Sequence, residues 1–446
     1  MFECGMIQNG HTPLETYYLN SKILQKIKPQ DIDYILIGHC HIDHIGLLPA
    51  LYATGKCHAK LIVPKFSTRI MREMLLDCAW INFKDVEFIN RSAHHNLKPL
   101  YTDDDVYTML RYIEEYDSDV INKINEEFSF RFRNAGHILL SKQAELFFTN
   151  SGTVRKVLFT SDIGNIATQD SRVFVEKFDP VLTSNIVIGE STYGCSGRDT
   201  TKRTLQQDTD KLKTVIDQYC VDGNARVLIP TFSLDRMPYM LWILYNLYAR
   251  DKTFNIPIIV DSPLANRLLD AYAEILDGDR LLKFNKMMEW KNIRRITDAE
   301  DSKAAIKDNS PKVVLSSSGM LSAGRSVKWV QSILPRENDI ICFIGYAGED
   351  TIAYKIKHSK EQKTITINGT LCKNKCQIID LHSFSSHAQN RDLINYYKSI
   401  NCEKIYLVHG DNDARIQLKS DLSKAISECS KTTRVVIVNK GLKISL

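Results

Sequence analysis

Three histidines and an aspartate fall within six residues in Gly38-His39-Cys40-His41-Ile42-Asp43-His44-Ile45-Gly46, directly after the apolar run Tyr34–Ile37. Histidine and aspartate are seldom core residues, and four crowded together would need four separate polar partners. A divalent ion partners all of them at once, because imidazole nitrogen and carboxylate oxygen suit zinc or a similar metal. Alternate residues of an extended loop point the same way, so His39 and His41 can share one ion. Asp43 and His44 follow the turn of the chain and can serve a second. Further ligands must then come from elsewhere, and candidates recur just after apolar runs: His137 in Asn134-Ala135-Gly136-His137, Asp162 in Thr160-Ser161-Asp162-Ile163-Gly164, and His409 in Leu407-Val408-His409-Gly410. Strand ends are where α/β folds place their sites.

The elements that must position these residues alternate along the chain. Strands are predicted at Tyr34–Ile37, Leu61–Val63, Val157–Thr160, Ile186–Ile188, Val227–Ile229, Ile258–Val260, Val313–Leu315, Ile340–Ile344, Ile405–Val408 and Val435–Val438. Helical periodicity fills much of the space between, as at Thr68–Trp80, Val106–Glu115, Met237–Tyr248, Leu393–Ile400 and Ala414–Cys429. Buried strands between helices mean an α/β fold. Phe128, Phe130 and Phe132 alternate instead with Ser129, Arg131 and Arg133, the mark of a half-exposed antiparallel strand, so a mixed sheet is expected. Met71, Met74, Leu75 and Cys78, at helical spacing, read as core.

Length and composition bound the rest. The chain has 446 residues, 43% of them hydrophobic, enough for two domains or one domain with a large insertion. No stretch approaches the roughly 18 apolar residues of a membrane span, and the first residues lack the pattern of a secretory signal. Eleven cysteines, an odd and mostly scattered set, suit a reducing compartment. A cytoplasmic protein without membrane partners is expected. Net charge is only +5, but residues 351–446 hold 16 Lys/Arg against 8 Asp/Glu, a basic surplus suited to phosphates. Cys372 and Cys376 lack a second ligand pair, and His11, His58, His94, His95, His358 and His382 lack a ligand context.

The run His39-x-His41-x-Asp43-His44, with His137 and Asp162, resembles the metallo-β-lactamase fold, a four-layer αββα sandwich that binds two metals. Later motifs resemble its β-CASP, nucleic-acid-processing branch. Glu190 in Gly189-Glu190-Ser191-Thr192-Tyr193-Gly194 matches the first acidic motif, His387 in Ser383-Phe384-Ser385-Ser386-His387-Ala388 the second, and His409 in Val408-His409-Gly410 the third. The resemblance runs over essentially the whole chain and is strongest to compact bacterial and archaeal relatives of the pre-mRNA 3′-end cleavage endonuclease. It implies a metallo-β-lactamase domain at 1–194 and 381–446, with an inserted α/β β-CASP domain at 195–380. It also implies two Zn2+ ions, one on His39, His41 and His137, the other on Asp43, His44 and His409, with Asp162 bridging.

By the same resemblance the substrate is single-stranded RNA, gripped between the two domains and cut internally to leave a 5′-phosphate and a 3′-hydroxyl. Two ions about 3.5–4 Å apart would share a bridging hydroxide. His387 would be the general acid, oriented by a hydrogen bond that its other ring nitrogen donates to Glu190. Ser316, Ser317, Ser318 and Gly319, with Ser385, Ser386 and Arg236, are the phosphate-binding candidates. A 5′-exoribonuclease, a DNA nuclease, a small-molecule metallo-hydrolase and an inactive RNA-binding scaffold are the alternatives, and a homodimer is left open. Two departures stand out. The chain opens directly at Phe2-Glu3-Cys4-Gly5, where relatives have a strand pair before Asp-Cys-Gly, so a truncated start and a local adjustment to the longer acid are expected. Leu140 replaces a common glycine and is expected to narrow the site mouth.

Overall fold

The computed structural model describes residues 1–8, 12–195, 204–345, 347–349, 351–359 and 363–438, so His11 lies outside the described residues. The chain forms two compact units. One comprises Met1–Ile7, Tyr17–Thr200 and Ser386–Leu446, the other Gln8–Thr16 and Thr201–Ser385. The second thus includes an N-terminal stretch that the expected 195–380 insertion does not.

The first unit contains two sheets. The strands Tyr34–Leu36, Lys60–Pro64 and Ile113–Tyr116 pair in parallel. The other sheet has seven strands, in the order Arg434–Ile437, Lys404–Leu407, Ile186–Gly189, Thr153–Phe159, Lys142–Asn150, Phe128–Asn134 and Asn122–Lys123. Its first four strands run parallel and the remainder antiparallel, so the phenylalanine alternation does mark an antiparallel strand in a mixed sheet. Leu36 and Ile62 of the small sheet share one buried cluster with Phe130, Phe132, Leu146 and Val157 of the large one. The outer face of the large sheet is covered by helices Asn390–Ser399 and Asn412–Glu428, through Leu393, Tyr397, Leu418 and Leu422. The small sheet is backed by helix Ser67–Ala93, whose Met71, Met74, Leu75 and Cys78 are buried. This is an αββα sandwich.

One expected helix is corrected. Val106–Glu115 splits, with a helix at Asp103–Leu110 and a strand at Ile113–Tyr116. The capping box at Thr102 fixes the helix start. The later residues pair with Leu61–Pro64, whose open edge outweighs a local helical pattern.

The second unit is built on six parallel strands, ordered Ile293–Ile296, Ile258–Asp261, Lys312–Ser316, Arg226–Pro230, Ile340–Phe343 and Gln377–Asp380. From Arg226–Pro230 the chain proceeds to a strand on one side, and from its neighbour Lys312–Ser316 to a strand on the other. Beyond the carboxyl ends of those two strands lies a topological switch point, the ordinary place for a ligand in such a sheet.

Candidate metal centre

The short strand Tyr34–Leu36 delivers the chain to Gly38–His41, and a helical turn, Ile42–Ile45, begins at once with His41 as its N-cap. This reversal sends His39 and His41 to one side of the cluster and Asp43 and His44 to the other. His137 follows the end of Phe128–Asn134, Asp162 follows Thr153–Phe159, and His409 follows Lys404–Leu407. Strand ends from both sheets therefore bring together residues up to 366 positions apart, as for Asp43 and His409.

His39 Nε2, His41 Nδ1 and His137 Nε2 converge, with separations from the His41 nitrogen of 3.1 and 3.3 Å. Tetrahedral zinc with bonds of about 2.0–2.1 Å holds its ligand atoms roughly 3.3–3.4 Å apart. Asp162 Oδ2 stands 3.6 Å from His39 Nε2, 3.7 Å from His137 Nε2 and 3.4 Å from His44 Nε2. Its Oδ1 lies 3.5 Å from His409 Nδ1. Asp43 Oδ2 is 3.3 Å from His409 Nε2 and 3.9 Å from His44 Nε2. Two sets of donor atoms thus meet at one buried carboxylate. His44 Nε2 and Asp162 Oδ1 are buried without a hydrogen bond, an arrangement that costs free energy unless a cation occupies the space between the donors. The donor set fits a divalent metal.

Four of the five ligand rings are also held from behind. His39 Nδ1 lies 3.0 Å from Ser161 Oγ, His44 Nδ1 2.5 Å from Glu3 Oε2, His409 Nδ1 2.9 Å from Thr192 Oγ1, and His137 Nδ1 3.4 Å from the carbonyl of Ser386. Such partners fix tautomer and orientation.

The two groups differ electrostatically. Burial, reinforced by neighbouring rings, pushes the His39 and His137 pKa values well below the ordinary imidazole range, and burial lowers that of His41 to about 4. All three present lone pairs at neutral pH. Burial opposes charge on His44 too, but Glu3, Asp162 and Asp43 together outweigh it and hold its pKa well above the usual value. At His409 burial is likewise outweighed, by Asp162 and Asp43, and the pKa rises to about 9. Here protons balance the carboxylates until a metal does.

Three comparisons place this geometry. Residues 12–77 match the metallo-beta-lactamase superfamily, 239–356 the Beta-Casp domain, and 373–435 the Zn-dependent metallo-hydrolase RNA specificity domain. The chain is a β-CASP member of the metallo-β-lactamase superfamily. It is similar to the transcription termination factor FttA of Methanocaldococcus jannaschii, 27% identical over 86% of this chain and 59% of that protein. It is also similar to ribonuclease TTHA0252 of Thermus thermophilus, 24% identical over 94% of this chain and 89% of that one. Endoribonuclease YSH1 of Kluyveromyces lactis is 26% identical over 91% of this chain and 52% of its own length. The chain spans little more than half the length of the first and last of these.

In this β-CASP protein one expected contact is corrected. His387 Nδ1 stands 3.8 Å from Glu190 Oε2 and 3.9 Å from Asp162 Oδ2, ion-pair distances rather than the expected hydrogen bond. The Glu190 carboxylate accepts instead from the backbone N–H groups of Ile163 (2.6 Å) and Thr192 (3.2 Å). His387 packs against the rings of His137 and Tyr193.

The phosphate-binding candidates divide. Ser316 is buried and donates its hydroxyl to the Asp261 carbonyl, so it is committed to the sheet. Ser317, Ser318 and Gly319 lie at the switch point of the second unit. There Ser317 Oγ meets Ser233 Oγ at 2.7 Å, and a Cβ on Gly319 would press on Phe232 at 3.2 Å. Arg236 opens helix Arg236–Tyr248, is buried, donates to the Ile344 carbonyl and lies over the Phe232 ring. Ser385 and Ser386 are buried, and the Ser386 carbonyl accepts from Asn165 N at 2.8 Å. Arg325, which opens the helix after the serine loop, pairs with buried Asp261.

Ser161 and Thr192 were not singled out from the sequence. Their one signal is adjacency to motif residues, Ser161 before Asp162 and Thr192 two after Glu190. Leu140 is buried with φ +66°, a conformation natural to glycine, so the departure there costs backbone strain.

Proposed function

We propose that this chain is a two-zinc ribonuclease that hydrolyses single-stranded RNA internally. The observation that carries the reading is the convergence of two donor groups on Asp162: His39, His41 and His137 on one side, Asp43, His44 and His409 on the other. The names of two relatives, a ribonuclease and an endoribonuclease, and the RNA-specificity match favour RNA over a small molecule.

When bound, the metals supply a lowered pKa for the attacking water and Lewis acidity toward the phosphoryl oxygens. The residues do the rest. Asp43, 44% exposed while Asp162 is buried, is the ligand carboxylate open to solvent and accepts the proton of the attacking water. The water oxygen bonds to phosphorus as the bond to the ribose 3′ oxygen breaks. His387, 19% exposed, donates a proton to that oxygen through Nε2, since its Nδ1 faces Asp162 and Glu190. The products are a 5′-phosphate and a 3′-hydroxyl. Ser317, Ser318 and Gly319 supply hydroxyls and backbone N–H groups for a further phosphate.

The test is cleavage of single-stranded RNA and matched DNA, labelled at either end, by zinc-loaded protein beside Asp162→Ala. Internal RNA cuts that vanish in the variant are expected. A ladder of mononucleotides would replace the endonuclease with a 5′-exonuclease, and no cleavage of either polymer would overturn the reading.

A further inference from the structure

Glu3, the residue at which this chain departs from the usual aspartate, lies where the outer partners of both donor groups meet. Its Oε2 faces His44 Nδ1 at 2.5 Å. Its Oε1 accepts from the Ser161 hydroxyl at 2.9 Å and from Gly38 N at 3.1 Å. The Ser161 hydroxyl proton is thereby committed to Glu3, so Ser161 Oγ accepts from His39 Nδ1 at 3.0 Å. Every hydrogen bond in the set runs toward one carboxylate. The direction places a proton on Nδ1 of both His44 and His39 and leaves Nε2 of each ring as the atom that faces Asp162.

The backbone around the set is specialised. Glu3 and Ser161 both adopt left-handed φ values, +47° and +48°, which are unfavourable for residues with a Cβ. Glu3 is held there by its own N–H on the Leu36 carbonyl (2.9 Å) and by Cys4 N on the His44 carbonyl (2.8 Å). Gly38 leaves the space: a Cβ on it would stand 2.4 Å from Ser161 Oγ and 2.9 Å from Glu3 Oε1.

We propose that Glu3 is a positioning residue shared by both metal sites, acting directly on His44 and through Ser161 on His39. The inference rests on the two-zinc reading of the centre.

The experiment is a zinc titration of the full-length metal-free protein against a competing chelator, with thermal unfolding of the metal-free forms as the control for folding. Wild type is expected to take up two equivalents. Ser161→Ala should weaken one of them by about 10–100-fold, the usual effect of losing an outer partner. Glu3→Ala should weaken both to that extent, and the double variant should bind no more weakly than E3A, because the two residues act on His39 in series. Metal-free unfolding should move little beside these losses.

E3A weakening one equivalent or none, or fully additive losses in the double variant, would overturn the inference. Should E3A not fold, Glu3→Gln replaces it. Its amide oxygen can still receive Ser161 and Gly38 while its NH2 group faces the His44 N–H. E3Q and S161A should then weaken different equivalents, and their combination both; if they weaken the same one, the inference is wrong. A wild type that binds no zinc overturns the metal-centre reading itself, whereas two equivalents bound as tightly by E3A overturns only the shared role of Glu3.

Discussion

Asp162 touches both donor groups, so its charge is the least replaceable in the site. Asp162→Asn keeps the shape but removes that charge from among rings of His39, His44, His137 and His409. It should lower zinc content below one equivalent, read by elemental analysis, and abolish cleavage. His387→Ala makes the contrasting case, because its ring lies at 3.8 Å or more from both carboxylates and outside the two ligand trios. Turnover should fall by about 10²–10⁴-fold with zinc content unchanged; a zinc-depleted H387A would exclude the general-acid role. Protons give a third test. In the metal-free centre His44 and His409 are charged at neutral pH, with pKa values well above the ordinary one and about 9 respectively. A raised pKa stabilises the metal-free fold fully below the unfolded value near 6.5 and loses that contribution as pH rises through about 9. Zinc must displace these protons, so its affinity should climb from pH 6 towards 9. Calorimetry in buffers of different ionisation enthalpy should show proton release at pH 7, and uptake without release would refute the charge assignment.

At the scale of elements, strand ends are brought into register by very close backbone approach. A Cβ on Gly164 would stand 1.8 Å from the Gly136 carbonyl oxygen, and one on Gly5 1.6 Å from that of Asp43. Gly164 N donates to the Ala135 carbonyl, and Gly164 bridges to His387, so this contact joins the ends carrying His137, Asp162 and the general-acid candidate. Gly164→Ala should therefore cost about 1–3 kcal/mol of stability or more, read as a lowered unfolding midpoint, together with weaker zinc binding. An alanine variant with wild-type melting and zinc affinity would show that the approach is not needed. The strands that carry these residues were legible either as short apolar runs rich in β-branched residues or, at Phe128–Asn134, as a period-2 alternation of phenylalanine with polar residues. The Ile113–Tyr116 strand was not, since its residues continue a helical pattern and only the neighbour Lys60–Pro64 decides the outcome. The metal-ligand candidates could be read from residue type and position after strands. Ser161, Thr192 and the Ser386 carbonyl could not, because serine, threonine and backbone carbonyls occur everywhere and acquire a role only through the partner that the fold brings to them.

Across the whole molecule, ligand candidates from both ends of the chain belong to one compact unit, while a six-stranded parallel sheet occupies the stretch between. Alternation of strands and helices indicates α/β architecture but is the same in both units, so motif order, not periodicity, carried the expected insertion. Charge is another property of the whole chain. The basic surplus of residues 351–446 offsets a slightly acidic remainder, and Lys355, Lys373, Lys404, Lys419 and Lys424 are among its cations. If single-stranded RNA is the substrate, its phosphates shed condensed counterions on binding, and log affinity falls linearly with log salt by roughly 0.7 per phosphate contacted. Binding should be measured with the Asp162→Ala protein, expected not to cleave, at several salt concentrations. A slope equivalent to several phosphates is expected, and neutralising three of these lysines together should make it shallower. A salt-independent affinity would mean that RNA is held without its backbone, which no ribonuclease that must present a phosphodiester to the metals could do.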